Sequence, residues 1–174
     1  MQSLLVMTVI GQDRPGLVDS VAALVAKHGG NWLESRMSRL GGHFAGILRV
    51  EVPSENELPL VAALQEARGL TIVVHPDQPK PSSAAVRQSV LEIVGQDRPG
   101  IVREISHALA GFGVNVEELR TECESAAMSG ETLFKAYARL SIPESCDVVQ
   151  VRQQLERIAA DLIVEISLAD LPKP

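Results

Sequence analysis

The string Gly-Gln-Asp-Arg-Pro-Gly occurs twice, at positions 11–16 and again at 95–100. The offset of 84 residues (95 − 11) is close to half of the 174-residue chain. A six-residue string does not recur at such spacing by chance, so the chain reads as an internal duplication. The repeat also sets the register for comparing the halves. Each half is of a size that can just hold its own core.

In that register Asn31 matches Asn115 and Arg36 matches Arg120. The first half predicts the order β-α-β-β-α-β. Apolar residues 4–10 make a strand. Leu17, Val18, Val21, Leu24 and Val25 recur at helical spacing, and Gly29-Gly30 ends that helix. Residues 31–40 make a second strand, turned by Gly41-Gly42. In a third, 44–52, Phe44, Leu48, Val50 and Val52 share one face by period two. Pro53 stops it, Ser54 or Asn56 caps a helix carrying Leu60, Val61 and Leu64, and Arg68-Gly69 ends that helix before a last strand at 70–75.

The second half repeats the order. It has a strand at 89–94, a helical stripe of Ile101, Val102, Ile105, Leu109 and Phe112, and a strand at 134–142. A helix with Val148, Val151, Leu155 and Ile158 and a strand at 162–168 complete it. The third strands match at an offset of 90 (134 − 44), so six extra residues fall in the hairpin around 124–131. The expected fold is α+β: two ferredoxin-like βαββαβ domains, 1–76 and 87–174, each a four-stranded antiparallel sheet with two helices on one face. Residues 77–86 form a Pro/Ser-rich linker whose prolines keep it extended and favour packing of the halves side by side. On the sheet face without helices, alternation places Val6 and Ile10, which need cover from the sister domain or another subunit; a homodimer is expected.

Composition narrows the function. The net charge is −6, and there is no Lys/Arg cluster, so the electrostatic footprint of a nucleic-acid binder is missing. No apolar run approaches the length of a membrane span, and the first residues lack a basic segment ahead of an apolar one. A cytoplasmic protein without membrane association is therefore expected. Cys123 and Cys146 make no disulfide framework, and with the scattered His28, His43, His75 and His107 they form no metal-binding spacing. No nucleophile with a matching base is visible, so no catalytic residue, metal or cofactor is assigned. Glu34 with Arg36, and Glu118 with Arg120, read as surface ion pairs along the second strands rather than as ligand contacts.

The repeated hexapeptide lies between the first strand and first helix of each half. Gly11 and Gly16 permit backbone angles that other residues resist, and Pro15 suits a first helical turn. A bare helix N-terminus favours a carboxylate. Asp13 and Asp97 can accept from an amino group, and Arg14 and Arg98 can reach a carboxylate. Asn31 and Asn115 open the second strand, beside this loop in the expected fold. Such a set suits a small zwitterion. The same residues serve equally as a plain strand-to-helix turn with Asp as cap and Arg solvated.

A strand, then Gly-x-Asp-Arg-Pro-Gly-Leu/Ile-Val, a helix, a Gly and an Asn at the head of strand two resembles the ACT domain, an amino-acid-sensing module. The likeness spans nearly the whole chain, twice over. Two such domains with nothing attached are similar to the glycine cleavage system transcriptional repressor family. That resemblance implies a non-enzymatic regulator that binds glycine or a similar amino acid and represses through a protein partner, such as a transcriptional activator, rather than by touching DNA. It places ligand contacts at Gln12, Asp13, Arg14, Gly16 and Asn31, and at Gln96, Asp97, Arg98, Gly100 and Asn115. The extra residues near 126–130 make the two sites unequal. A second reading is a regulatory subunit that modulates a metabolic enzyme directly; a third is a scaffold whose loops bind nothing.

Overall fold

A computed structural model describes residues 1–77, 85–125 and 132–171. Most of the expected linker and the extra hairpin residues at 126–130 lie outside the described residues. The chain divides into two compact units, Met1–Pro81 and Ser82–Pro174.

In the first unit the elements are β1 (Gln2–Gln12), α1 (Leu17–Lys27), β2 (Asn31–Leu40), β3 (His43–Pro53), α2 (Glu57–Gln65) and β4 (Leu70–Pro76), with a short 3-10 turn at Ser54–Asn56. In the second they are β5 (Val86–Gln96), α3 (Ile101–Gly111), β6 (Asn115–Ser125), β7 (Thr132–Pro143), α4 (Val148–Leu162) and β8 (Val164–Asp170). The sheets run β2-β3-β1-β4 and β6-β7-β5-β8, with every pairing antiparallel. These are two ferredoxin-like α+β domains, as the periodicity predicts. Gly11 faces Phe44 and Gly95 faces Phe134, so the ladders reproduce the offset of 90 between the third strands.

Alternation explains which residues make each core. Leu5, Met7 and Val9 of β1 and Leu48, Val50 and Val52 of β3 point to one side, where Val21 and Val25 of α1 and Leu60 and Leu64 of α2 close over them. In the second unit Leu91, Ile93, Ala138, Leu140 and Ile142 meet Ile105, Leu109, Val151 and Leu155. Val18 and Val102 depart from the predicted stripes. They sit in the first helical turn, at the mouth of the hexapeptide loop, and stay 44% and 43% exposed.

Three local expectations are corrected. Asn56 stands at the N-cap of α2 without capping it; its amide instead donates to the His28 carbonyl at 2.9 Å, tying the end of α1 to the start of α2. Pro15 lies outside α1, which begins at Leu17 behind Gly16. The last strand begins at Val164 because α4 runs on through Leu162 and Ile163 makes the turn.

The helix-free faces of the two sheets differ. On the first, Ile10, Ile47 and Val73 are close to half exposed. Thr8 pairs with both Ile47 and Val73, so these side chains form one apolar patch. At the matching place in the second sheet, Glu92 pairs with Tyr137 and Ser167. The expected ion pairs along the second strands form here: Arg36–Glu34 at 3.2 Å and Arg120–Glu118 at 2.6 Å.

Candidate functional site

Each hexapeptide is held by its glycines for two distinct reasons. Gly11 runs against the turn before β4: a Cβ there would lie 2.5 Å from the Gly69 carbonyl oxygen and 2.7 Å from Leu70 Cδ2. Gly95 is equally pressed, with its would-be Cβ 2.6 Å from Val164 Cγ1. These two are needed for close approach, not for unusual backbone angles. Gly16 and Gly100 are the reverse case. They adopt φ of 87° and 102°, which L side chains resist, with open space where a Cβ would stand. That space leaves the first turns of α1 and α3 approachable from solvent.

The loops are closed by the main chain. Asp13 N–H donates to the Gly42 carbonyl and Asp97 N–H to the Thr132 carbonyl, each at 2.9 Å. The loop thereby rests on the β2–β3 or β6–β7 hairpin. In the first domain a cavity of about 260 Å³ opens here, walled by Asp13, Arg14, Gly16, Val18, Asp19 and Phe44. Asp13 meets Arg39 at 2.6 Å (Oδ2 to Nε). A Cβ on Gly69 would lie 3.8 Å from Arg14 Nη2, so the Arg14 guanidinium rests over that glycine.

The second loop keeps the hexapeptide and changes its surroundings. Arg39 corresponds to Cys123, since both face the matched phenylalanines, Phe44 and Phe134. Among the described residues Asp97 has no ion pair. Asp19, in the first turn of α1, corresponds to Arg103 in α3, which pairs with Glu104 at 3.0 Å. Gly69 corresponds to Ile163, one residue before the partners of Gly11 and Gly95. Arg98 donates to Gln96 Oε1 at 3.2 Å.

Of the residues expected at the site, Gln12, Asp13, Arg14 and Gly16 come together, and so do Gln96, Asp97, Arg98 and Gly100. Asn31 and Asn115 do not join the loops of their own domains. Asn31 faces Glu51, which faces Leu4, eight residues along β1 from Gln12. At the usual rise per residue that is about 26 Å. The reason is topological: α1 carries the chain back to the end where β1 began, so β2 starts there, far from the loop. Asn115 follows the same path, facing Ser141, which faces Gln88. Sequence reasoning missed Asp19, Arg39 and Gly69. The register at offset 84 does carry the Asp19/Arg103 and Arg39/Cys123 exchanges, but only the folded hairpin shows that they border the loop.

A larger depression, about 670 Å³, lies on the helix-free face of the second sheet among Glu92, Glu118, Arg120, Lys135 and Arg139. Its cations already have carboxylate partners: Arg120 pairs with Glu118, Arg139 with Glu117 at 3.8 Å (its Nε staying without a hydrogen bond), and Lys135 with Glu124. The hydrogen bond to Glu124, then its charge, raises the Lys135 pKa. The loops, with an open helix start in each copy, make the better candidate. Among the described residues no group of three metal-ligating side chains gathers, and no helix is long and apolar enough to cross a membrane.

Comparison with known proteins gives a consistent picture. The family model of the ACT domain matches residues 3–75 and again 87–169. The glycine cleavage system transcriptional repressor of Escherichia coli K12 is 25% identical over 176 residues, covering 96% of this chain and 90% of that protein. The crystal structure of an unknown protein from Galdieria sulphuraria superposes with a TM-score of 0.90 at 29% identity, covering 99% of this chain and all of the other (100%). A crystal structure of a putative glycine cleavage system transcriptional repressor shares the fold, with a TM-score of 0.66, 20% identity and 99% of each chain covered.

Proposed function

The chain belongs to the ACT domain family, with one member domain in each half, and on that premise we propose that it is a non-enzymatic, amino-acid-sensing regulator. The sensed ligand is glycine or a similarly small amino acid, taken at the hexapeptide loops. Its carboxylate meets the exposed N–H groups behind Gly16 or Gly100, and its ammonium meets Asp13 or Asp97. Gln12 and Arg14, with Gln96 and Arg98, border the ligand. Repression through a protein partner such as a transcriptional activator, in the cytoplasm and without direct DNA contact, completes the reading. The observation that carries it is the full-length similarity to a protein named for repression of the glycine cleavage system. The net charge of −6 supports a protein partner over nucleic acid.

Titration calorimetry of the whole chain with glycine, serine and alanine tests the sensing part; heat with at least one of them is expected, and none with any would remove its support. A pull-down from the native host tests the rest. Recovery of a transcriptional activator is expected, whereas recovery of a metabolic enzyme alone would favour direct control of that enzyme. A homodimer joined through the apolar patch of Ile10, Ile47 and Val73 belongs to the same proposal. Sedimentation of Ile47→Lys should then show a shift toward monomer, and an unchanged wild-type monomer would refute it.

A further inference from the structure

The two loops share a hexapeptide, yet three bordering positions differ, and the charge changes at two of them, Arg39/Cys123 and Asp19/Arg103, act in one direction. In the first domain the Asp13 carboxylate is already engaged by Arg39. An ammonium ligand has to share that carboxylate with the guanidinium, whose charge repels it. In the second domain Cys123 stands at the matching position and Asp97 has no ion pair among the described residues.

The ends of the helices differ too. Asp19 lies in the first turn of α1 and lines the cavity, where it repels an incoming carboxylate. Arg103 occupies that position in α3 and contributes the opposite charge, partly offset by Glu104. The third difference is at the floor. Arg14 rests over Gly69 in the first copy, whereas Ile163 replaces that glycine in the second and is 61% exposed. Ile163 also holds φ of 56°, a backbone region that is costly for a β-branched residue.

We infer that the second domain holds the tighter site for a free amino acid, and that Arg39 is a built-in competitor that sets the affinity of the first. This rests on the sensing role proposed above and says which copy dominates it. An exposed ion pair such as Arg39–Asp13 is worth up to about 1 kcal/mol, which converts to roughly a fivefold effect on affinity.

The test is calorimetry of the full chain with glycine and with L-serine, on wild type and four variants. Asp97→Ala should abolish the tighter binding event, while Asp13→Ala leaves it in place. Arg39→Ala should tighten the weaker event by up to about fivefold. Cys123→Arg should weaken the tighter event by a similar factor, and far-UV circular dichroism checks that each variant is folded. A greater loss from Asp13→Ala than from Asp97→Ala overturns this inference and leaves amino-acid sensing standing. So does an Arg39→Ala variant whose binding is unchanged. Absence of heat with either amino acid in the wild type overturns both.

Discussion

Ile163 stands in the second domain where Gly69 stands in the first, and both hold a left-handed backbone, with φ of 56° and 76°. For glycine this conformation is ordinary. For isoleucine it crowds the branched Cβ against the neighbouring carbonyl and costs about 1–3 kcal/mol. The side chain recovers little of that by burial, being 61% exposed.

Ile163→Gly should therefore stabilise the second domain. The gain is about 1 kcal/mol after the extra chain entropy of glycine is deducted. That corresponds to a rise in Tm of about 4–8 °C for a domain of this size. Urea unfolding followed by circular dichroism reads it directly. A lower midpoint in the variant would show that the isoleucine makes contacts worth more than its strain.

The two glycines of the first hexapeptide should respond differently to alanine. Gly11→Ala drives a methyl group to within 2.5 Å of the Gly69 carbonyl, so β1 and β4 have to separate. A cost of about 1–3 kcal/mol follows. Hydrogen exchange should speed up in β4. Gly16→Ala meets no neighbour and suffers only the left-handed backbone, about 1–2 kcal/mol, with β4 protected as before. Equal exchange in β4 for both variants would contradict the separate roles given to the two positions.

The thiols should react in two phases. Cys123 is exposed on β6, whereas burial and, after it, the Asp147 charge raise the Cys146 pKa. A raised pKa means less thiolate at a given pH, hence slower attack on an aromatic disulfide reagent. The slow phase belongs to Cys146 and accelerates as pH rises toward its pKa. Asp147→Asn should quicken it while sparing α4, because Asn caps a helix as Asp does; Asp147 Oδ1 now accepts from Val149 N–H at 2.9 Å. A single phase, or a slow phase indifferent to Asp147→Asn, would contradict the assignment.

Most of the architecture is legible in the sequence. The alternation of Leu5, Met7 and Val9 and the spacing of Val21 and Val25 depend on local geometry that a sequence states outright. The offset of 90 between the third strands could be read because Phe44 and Phe134, and Pro53 and Pro143, mark corresponding places. Non-local relations were harder. Asn31 opens the second strand, which the expected fold sets beside the loop, but α1 reverses the chain and leaves Asn31 at the far end of the sheet. Arg39 reaches Asp13 only because the β2–β3 hairpin folds under the loop. At Gly11 the sequence suggests unusual backbone angles, whereas the position is a point of contact with Gly69, a partner 58 residues away (69 − 11).

The loops are anchored through peptide groups, Asp13 N–H on Gly42 and Asp97 N–H on Thr132, and those bonds are blind to the side chain at either aspartate. The frame of each loop is thus independent of its chemistry. The two copies accordingly differ at the bordering positions 19/103 and 39/123 while both keep the same hexapeptide and the same main-chain anchor. A chain built this way can vary the side chains around one loop without disturbing the main-chain anchor of either.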